Sequence, residues 1–201
     1  MAEMKIVGIS CSPRKGKGTK HALETCLQAA KEAEPEVETL LIDLSEMKMN
    51  GCIACGKCMK VLECSQEDDF VKMIPILSDP ALAGLVVATP VYFGSMTSQC
   101  KAFLDRCVMF RRNGFLLRDK VGGVIAVGGV RNGGQELAIQ AVQAAMLVQD
   151  MVVVSEGRPT SHYGATLWSG HPDGIEKDTF GLETARHLGK RVAEVATRMH
   201  R

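Results

Sequence analysis

The feature that most constrains the fold of this chain is the alternation of short apolar runs with segments at helical spacing. Five short runs are mainly apolar and rich in Val and Ile. They lie at Lys5 to Ile9, Val37 to Ile42, Leu85 to Ala88, Val121 to Val127 and Val152 to Val154. Apolar runs of this kind are typical of strands that are buried on both faces of a parallel sheet.

The segments between these runs predict amphipathic helices. From Thr19 to about Ala33, from Gln135 to about Gln149 and from Leu182 to Met199, apolar residues fall on one helical face. Such alternation implies right-handed βαβ units, and five strands fit the flavodoxin-like order of a doubly wound α/β sheet better than the six-stranded dinucleotide fold. We therefore expect one domain over residues 1–201, with helices on both faces and a cysteine loop at about residues 50–66.

Composition narrows the possible partners and the cellular location. The net charge of +1 gives no support to nucleic-acid binding by a basic face, and no segment is apolar for long enough to span a bilayer. The start, Met1 to Lys5, lacks the zones of a signal peptide. The eight cysteines therefore indicate thiols or metal ligands rather than disulfides. We expect a cytoplasmic protein without nucleic-acid or membrane partners.

The loop that follows the first strand, Ser10 to Thr19, is dense in hydroxyls, glycines and cations and opens a helix. It matches neither G-x-G-x-x-G nor G-x-x-x-x-G-K-[ST], which disfavours a dinucleotide fingerprint and a nucleotide P-loop. Free N–H groups and the positive end of the helix dipole favour a bound phosphate. An ordinary loop with a Ser or Thr helix cap remains the alternative. The candidate phosphate ligands are Ser10, Ser12, Arg14, Gly18 and Thr19.

The loop after the third strand places two aromatic residues beside Gly and Pro. The chain has only nine aromatic residues, so two of them at the end of a buried strand favour a platform for a planar ligand. The alternative is a turn whose rings pack under the sheet. The candidate ligand contacts are Pro90, Val91, Tyr92, Phe93, Gly94 and Ser95.

The loop after the fourth strand has four glycines in seven residues and opens a helix. Its exposed N–H groups suit the carbonyl edge of a flavin ring, which gains negative charge on reduction; a mobile loop without a ligand is the competing account. The candidates are Gly128, Gly129, Arg131, Gly133 and Gly134. Together the three loops offer the phosphate cradle, the aromatic wall and the N–H-rich edge that FMN needs.

Four cysteines form a compact C-x2-C-x2-C-x5-C motif, Cys52, Cys55, Cys58 and Cys64. The start of this motif has the ferredoxin-like spacing for a [4Fe–4S] cluster. Four-cysteine zinc sites usually pair two C-x2-C knuckles across a longer gap, but zinc, a disulfide and free redox thiols all remain open. The other four cysteines are predicted to be small core residues.

These motifs resemble those of a known family. The three loops look like those of the flavodoxin-like NADPH-dependent FMN reductases, and the segment from Cys52 to Cys64 resembles the iron-sulfur flavoprotein branch of that superfamily. Tyr163 to Trp168 and Gly181 to Arg186 also look like that branch. The sequence departs from the family at Gly18, where Asn is often found before the helix-opening Thr.

The resemblance implies an FMN-dependent oxidoreductase that carries a [4Fe–4S] cluster. It implies a ferredoxin-type donor or NAD(P)H, a small electron acceptor, and assembly as a homodimer or homotetramer. No side chain is assigned a catalytic role, because the flavin carries the chemistry. The alternatives are a cluster-free NAD(P)H-dependent FMN or quinone reductase and a non-catalytic module whose cysteines hold zinc.

Overall fold

The computed structural model describes residues 4–200, and Met1 to Glu3 and Arg201 of the predicted domain lie outside the described residues. The strands are β1 (Met4–Ser10), β2 (Val37–Asp43), β3 (Leu82–Pro90), β4 (Val121–Gly128), β5 (Val152–Val153) and β6 (Ala165–Trp168). The α-helices are α1 (Gly18–Ala33), α2 (Ile74–Leu77), α3 (Ser98–Arg106), α4 (Val108–Arg112), α5 (Gln135–Val148) and α6 (Thr179–His200). Within these residues, no helix combines the length and the apolarity needed to cross a membrane.

The strands form one parallel sheet in the order β2-β1-β3-β4-β5, with β6 also paired to β4. β5 pairs with Val121–Gly122 near the start of β4, and β6 pairs with Ile125–Gly128 near its end. Two short strands therefore share the fifth position of a flavodoxin-like sheet. The predicted fold class is confirmed, and β6 is the strand that the apolar runs did not reveal.

Alternate residues of the strands supply two cores, one on each face of the sheet. Val7 and Val87 point into a core with Phe103, whereas their neighbours Ile6 and Val86 enter the opposite core. This alternation follows from the two-residue period of a strand. Because helices cover both faces, all eight residues of β4 are buried, which explains why its sequence is continuously apolar.

The carboxyl ends of β1, β3 and β4 lie side by side. In the register of the sheet, Ser10 is opposite Ala88, and Pro90 is opposite Val127. The chain runs from β1 to one neighbour, β2, and returns to the other, β3, so the strand order reverses beside β1. This switch point is where doubly wound sheets bind ligands.

Candidate functional site

The loops after β1 and β3 and the end of β4 line one open cleft of about 750 Å³. The predicted ligand residues on its wall are Ser12, Arg14, Gly18, Thr19, Pro90, Val91, Tyr92 and Gly129. The cleft therefore brings together residues from all three predicted loops. Its volume falls in the range of cofactor sites in proteins.

At the start of α1 the Lys20 N–H is bonded to the Lys17 carbonyl at 2.9 Å, whereas the N–H groups of Gly18 and Thr19 have no acceptor among the described residues. The helix begins at Gly18, and within residues 4–200 the side chain of Lys17, its N-cap, makes no capping hydrogen bond. The N–H groups of the first turn thus lack a side-chain acceptor, and such groups bind anions. Ser12 Oγ accepts a hydrogen bond of 3.1 Å from the Arg14 N–H and shapes the turn. Ser10 is fully buried, and its Oγ has no hydrogen-bond partner in the described part of the chain.

The β3 loop is a tight reversal. Tyr92 and Ser95 exchange backbone hydrogen bonds of 2.9 and 3.1 Å, and Phe93 and Gly94 between them have φ of 50° and 75°. Positive φ at both central positions is the geometry of a two-residue hairpin turn. Tyr92 lines the cleft, whereas Phe93 is fully exposed at the tip and, with Gly94 and Ser95, lies outside the lining. The two predicted rings therefore do not form one wall.

The start of the β4 loop is fastened by residues that follow β6. The Gly128 carbonyl accepts hydrogen bonds from the N–H of Ser169 at 2.9 Å and from its Oγ at 3.1 Å. Trp168 Nε1–H donates to the Gly129 carbonyl at 3.1 Å. Since both carbonyls point to the β6 side, the backbone at this end of the cleft is held in one position.

Arg131 points away from the cleft. Its Nη2 lies 2.5 Å from Oδ1 of Asp178, a buried carboxylate, and its guanidinium lies 5.2 Å from the centre of the Trp168 ring. Arg131 and Gly134 line a separate groove beside the start of α5. Arg131, a predicted cofactor contact, therefore does not line the cleft in this structure.

The remaining glycines of the β4 loop surround Gln135, the first residue of α5. Gln135 is buried, its Oε1 accepts from the Gly133 N–H at 2.8 Å, and its Nε2 donates to the Val130 carbonyl at 2.7 Å. Gly134 has φ of 91°, a backbone conformation that favours glycine. Gln135 organises this loop, and the glycine pattern alone did not point to it.

A segment that the sequence interpretation missed also lines the cleft. Its residues on the wall are Ser169, Gly174, Ile175 and Glu176. A Cβ on Gly18 would lie 2.6 Å from Cδ1 of Ile175, so a side chain there would displace that residue. The departure from the family's Asn thus has a structural reason, because Ile175 occupies the space beside Gly18.

The four cysteines of the motif surround one pocket whose wall includes Arg106 and Arg112. Arg106 Nη2 lies 3.1 Å from Cys64 Sγ, and Arg112 Nη1 lies 3.2 Å from Cys58 Sγ. Guanidinium groups at these distances stabilise negative charge on sulfur.

Neutral donors complete the surroundings of the other two thiols. The Ala54 N–H lies 3.4 Å from Cys52 Sγ, and the Ser65 hydroxyl lies 3.0 Å from Cys55 Sγ. The hydrogen bond from Ser65, followed by one from the Lys57 N–H, lowers the pKa of Cys55 and favours its thiolate. Thiolate is the form that binds metals.

A buried ion pair anchors the base of the cysteine loop. The side chains of Arg106 and Asp68 are almost completely buried and bonded to each other, and Asp68 also accepts from the Asn50 N–H at 2.8 Å. Burial by itself would raise the pKa of Asp68, but the hydrogen bonds from Arg106 and Asn50 outweigh it and hold that pKa below its ordinary value. The guanidinium also lies 4.3 Å from the centre of the Phe70 ring.

The four thiols lie around one pocket and are the residues that would hold a bound metal centre. Across residues 4–200, no three His, Cys, Asp or Glu side chains are grouped as one metal ion requires. A zinc ion draws its sulfur ligands to about 2.3 Å, whereas a [4Fe–4S] cluster binds each thiolate at a separate iron. Four thiols spaced around one pocket, each with a hydrogen-bond donor, fit the cluster.

The other cysteines are buried, as predicted. Cys11, Cys26, Cys100 and Cys107 lie in the two cores, and no disulfide links cysteines of the described chain. Burial raises the pKa of Cys26 to about 12, so its thiol stays protonated and unreactive.

Comparison with known proteins identifies relatives over nearly the whole chain. Residues 4–166 match the family described as NADPH-dependent FMN reductase. An iron-sulfur flavoprotein of Methanocaldococcus jannaschii is 42% identical over 192 residues, which cover 96% of this chain and 97% of that protein. An iron-sulfur flavoprotein of Methanosarcina thermophila is 38% identical over 192 residues, which cover 96% of this chain and 95% of that protein.

Solved structures share the fold at lower identity. RosB, crystallised with 8-demethyl-8-formylriboflavin-5'-phosphate, has a TM-score of 0.72 at 14% identity, covering 98% of this chain and 80% of that one. A WrbA-like flavodoxin from Agrobacterium tumefaciens has a TM-score of 0.66 at 19% identity, covering 98% and 99% of the two chains. The chain therefore belongs to the NADPH-dependent FMN reductase family, within its iron-sulfur flavoprotein branch, and is an FMN-dependent oxidoreductase.

Proposed function

We propose that this chain binds FMN in the cleft, holds a [4Fe–4S] cluster with Cys52, Cys55, Cys58 and Cys64, and transfers electrons to a small acceptor. The observation that carries the proposal is the convergence of three strand-end loops on one cleft. Unpaired N–H groups at the start of α1 are available there for a phosphate.

In this proposal the FMN phosphate lies at the start of α1. The hydroxyls of Ser10, Ser12 and Thr19 donate hydrogen bonds to it, and Arg14 supplies positive charge. Gly18 keeps the backbone close to the phosphate, because no side chain fits between it and Ile175.

The flavin ring then lies between the β3 loop and the backbone of the β4 loop. Pro90, Val91 and Tyr92 provide the apolar side of its site, and the backbone at Gly129 faces its carbonyl edge. Gly128, Gly133 and Gly134 shape the loop that holds Gly129 in place. Phe93, Gly94, Ser95 and Arg131 are retained in the proposal as further candidate contacts of the cofactor.

When bound, the cluster stores and passes on single electrons. The chain's own contribution is to place the four sulfur atoms around one pocket and to offset negative charge on them. Arg106 and Arg112 do this through hydrogen bonds to Cys64 and Cys58, and such bonds to sulfur also tune cluster potentials.

The electron donor in this proposal is a ferredoxin-type protein or NAD(P)H. The family description favours NADPH, and the names of the archaeal relatives favour an electron path through a cluster. The proposal also includes a single domain, a homodimer or homotetramer, and a cytoplasmic location. The alternative of a non-catalytic zinc module loses its support, because the family is one of enzymes.

Anaerobic purification followed by FMN titration and metal analysis tests the cofactors. We expect one FMN per chain and, per chain, about four iron atoms with about four acid-labile sulfides. Replacement Cys58→Ser should remove the iron and leave FMN bound, whereas the control Cys26→Ala, in the core, should retain both. A protein that binds stoichiometric zinc and no iron, or that refuses FMN at micromolar concentration, would contradict the proposal.

Anaerobic stopped-flow spectroscopy distinguishes the two donors. If electrons enter through the cluster, reduced ferredoxin should bleach the flavin of the wild-type protein rapidly and that of Cys58→Ser slowly. Rapid bleaching by NADPH in both proteins would instead select the cluster-free reductase.

A further inference from the structure

A second pocket lies on the edge of the sheet, away from the cleft and the cysteines. It has a volume of about 460 Å³ and lies between residues 155–161, which connect β5 to β6, and the middle of α6. We call it the basic pocket. Its lining comprises Ser155, Glu156, Gly157, Arg158, Ser161, His187, Lys190, Arg191 and Glu194.

The connecting segment is shaped around a buried carboxylate. Glu156 is buried, and its Oε1 accepts hydrogen bonds from Thr160 Oγ1 at 2.9 Å, from the His162 N–H at 2.6 Å and from His162 Nδ1 at 3.1 Å. All three bonds fall on one oxygen. This closes the segment into a fixed loop and places Arg158 at its tip.

The pocket carries unbalanced positive charge. Among the described residues, the side chains of Arg158, Lys190 and Arg191 make neither an ion pair nor a hydrogen bond, and the only other exposed charge on the lining is Glu194. Arg191 is nevertheless held in place, because its aliphatic stem packs against Gly157. A Cβ on that glycine would lie 3.6 Å from the Arg191 Cδ and Cγ atoms.

Two buried polar atoms of the lining residues also lack partners. Glu156 Oε2 and His187 Nδ1 are shielded from solvent, and neither has a hydrogen bond within residues 4–200. Buried polar groups are almost always bonded, so these two atoms are open to a hydrogen bond from a water or a ligand in the pocket. Glu156 Oε2 accepts only, and the ligand must therefore donate to it.

We infer that the basic pocket binds a soluble sugar phosphate. The pocket wall holds three cations, Arg158, Lys190 and Arg191, against two carboxylates, Glu156 and Glu194, so an excess of one positive charge favours an anion. The guanidinium groups of Arg158 and Arg191 suit the oxygens of a phosphate ester. The hydroxyls of Ser155 and Ser161 are further donors. A sugar hydroxyl beside the phosphate supplies the donor that Glu156 Oε2 lacks, which a simple carboxylate or sulfate cannot do.

Isothermal titration calorimetry on FMN-saturated protein tests this inference, because bound flavin keeps phosphate probes out of the cleft. The probes are ribose 5-phosphate, inorganic phosphate and ribose at one ionic strength. We expect one ribose 5-phosphate per chain, bound about tenfold more tightly than inorganic phosphate, and no binding of ribose. Equal affinity for the two phosphate probes would overturn the role of Glu156, and binding of neither would overturn the site.

Two variants and a matched control locate the binding. Arg191→Gln and Lys190→Gln should each weaken ribose 5-phosphate binding about fivefold or more, because each removes a cation from the pocket wall. Arg198→Gln removes the same charge from the same helix outside the pocket and should leave the affinity unchanged. Equal weakening by Arg198→Gln would mean diffuse attraction to α6 and would overturn the site. A change of oligomeric mass in Arg191→Gln without loss of binding would show that these cations pair with another chain instead.

Discussion

The cleft and the cysteine loop are built in different ways. The cleft lies at the ends of β1, β3 and β4, whose positions are set by the register of the sheet. From Met47 to Asp68, in contrast, the described chain has only one short 3-10 turn, Lys57–Met59, and its four thiols are exposed or half-buried.

Side chains from α3, from α4 and from Asn113, which follows α4, hold the cysteine loop in place. Arg106 bonds to Cys64, Arg112 bonds to Cys58, and Asn113 Nδ2 donates to the Cys58 carbonyl at 2.9 Å. The position of the cleft is thus set by the sheet, whereas the cysteine loop is held by side-chain anchors. The two should therefore be separable by mutation.

The largest expected effect comes from the anchor of the cysteine loop. Asp68→Asn leaves the Arg106 guanidinium buried without its counter-charge, which should lower the free energy of unfolding by about 3 to 5 kcal/mol. Urea unfolding measures that loss of stability, and iron analysis should show that the variant has lost its iron. FMN affinity, measured by quenching of flavin fluorescence, should change by less than about twofold, because distant sites act independently.

Asp69→Asn is the matched control for this variant. Asp69 pairs with the exposed Lys72 at 2.6 Å, and such pairs contribute about 1 kcal/mol or less. Asp69 also accepts from the Lys48 N–H at 2.7 Å, a bond that the amide oxygen of Asn can keep. If folded Asp68→Asn protein lost FMN together with its iron, the two sites would be one cooperative unit and the comparison would be wrong.

A smaller effect, this time in the cleft, should come from Gly18→Asn. The new side chain meets Ile175, and overpacking of this kind costs about 1 to 3 kcal/mol. We expect FMN affinity to fall about tenfold or more while iron content stays normal, since 1.4 kcal/mol corresponds to about a factor of ten. Flavin titration and iron analysis on the same preparation measure both.

The double variant Gly18→Asn with Ile175→Ala is the control, because it removes the branched side chain that Asn would strike. It should recover most of the lost affinity. Failure to recover would mean that Gly18 is needed for backbone approach to the ligand and not for the space that Ile175 occupies.

The sequence predicted the elements whose residues are buried on both sides. The apolar runs at Lys5–Ile9 and Val121–Val127 identified β1 and β4 to within one residue at each end. Because the loops follow the ends of these strands, the sequence also predicts the edge of the sheet on which they lie. The motif of four cysteines was recognised from its spacing alone.

What the sequence did not predict depends on contacts between distant segments. β6 has only four residues, and two of them, Thr166 and Trp168, are only half-buried, so no apolar run marks it. The contact of Ile175 with Gly18 joins residues far apart in sequence and leaves no local pattern. The turn at Phe93 follows from backbone φ values that carry no sequence signal at that residue.

The smallest expected effect tests whether β6 contributes to the flavin site at all. Trp168→Phe keeps a ring beneath Arg131 but removes the Nε1–H that donates to the Gly129 carbonyl, a loss of about 1 kcal/mol. If that bond positions the β4 loop, FMN affinity should fall about fivefold, with iron content unchanged. Tyr163→Phe, at an exposed ring whose hydroxyl has no partner in residues 4–200, should leave the affinity unaltered. An unchanged affinity in Trp168→Phe would mean that the sheet alone positions the β4 loop. The cleft would then need no side-chain anchor from β6, and its contrast with the cysteine loop would be sharper.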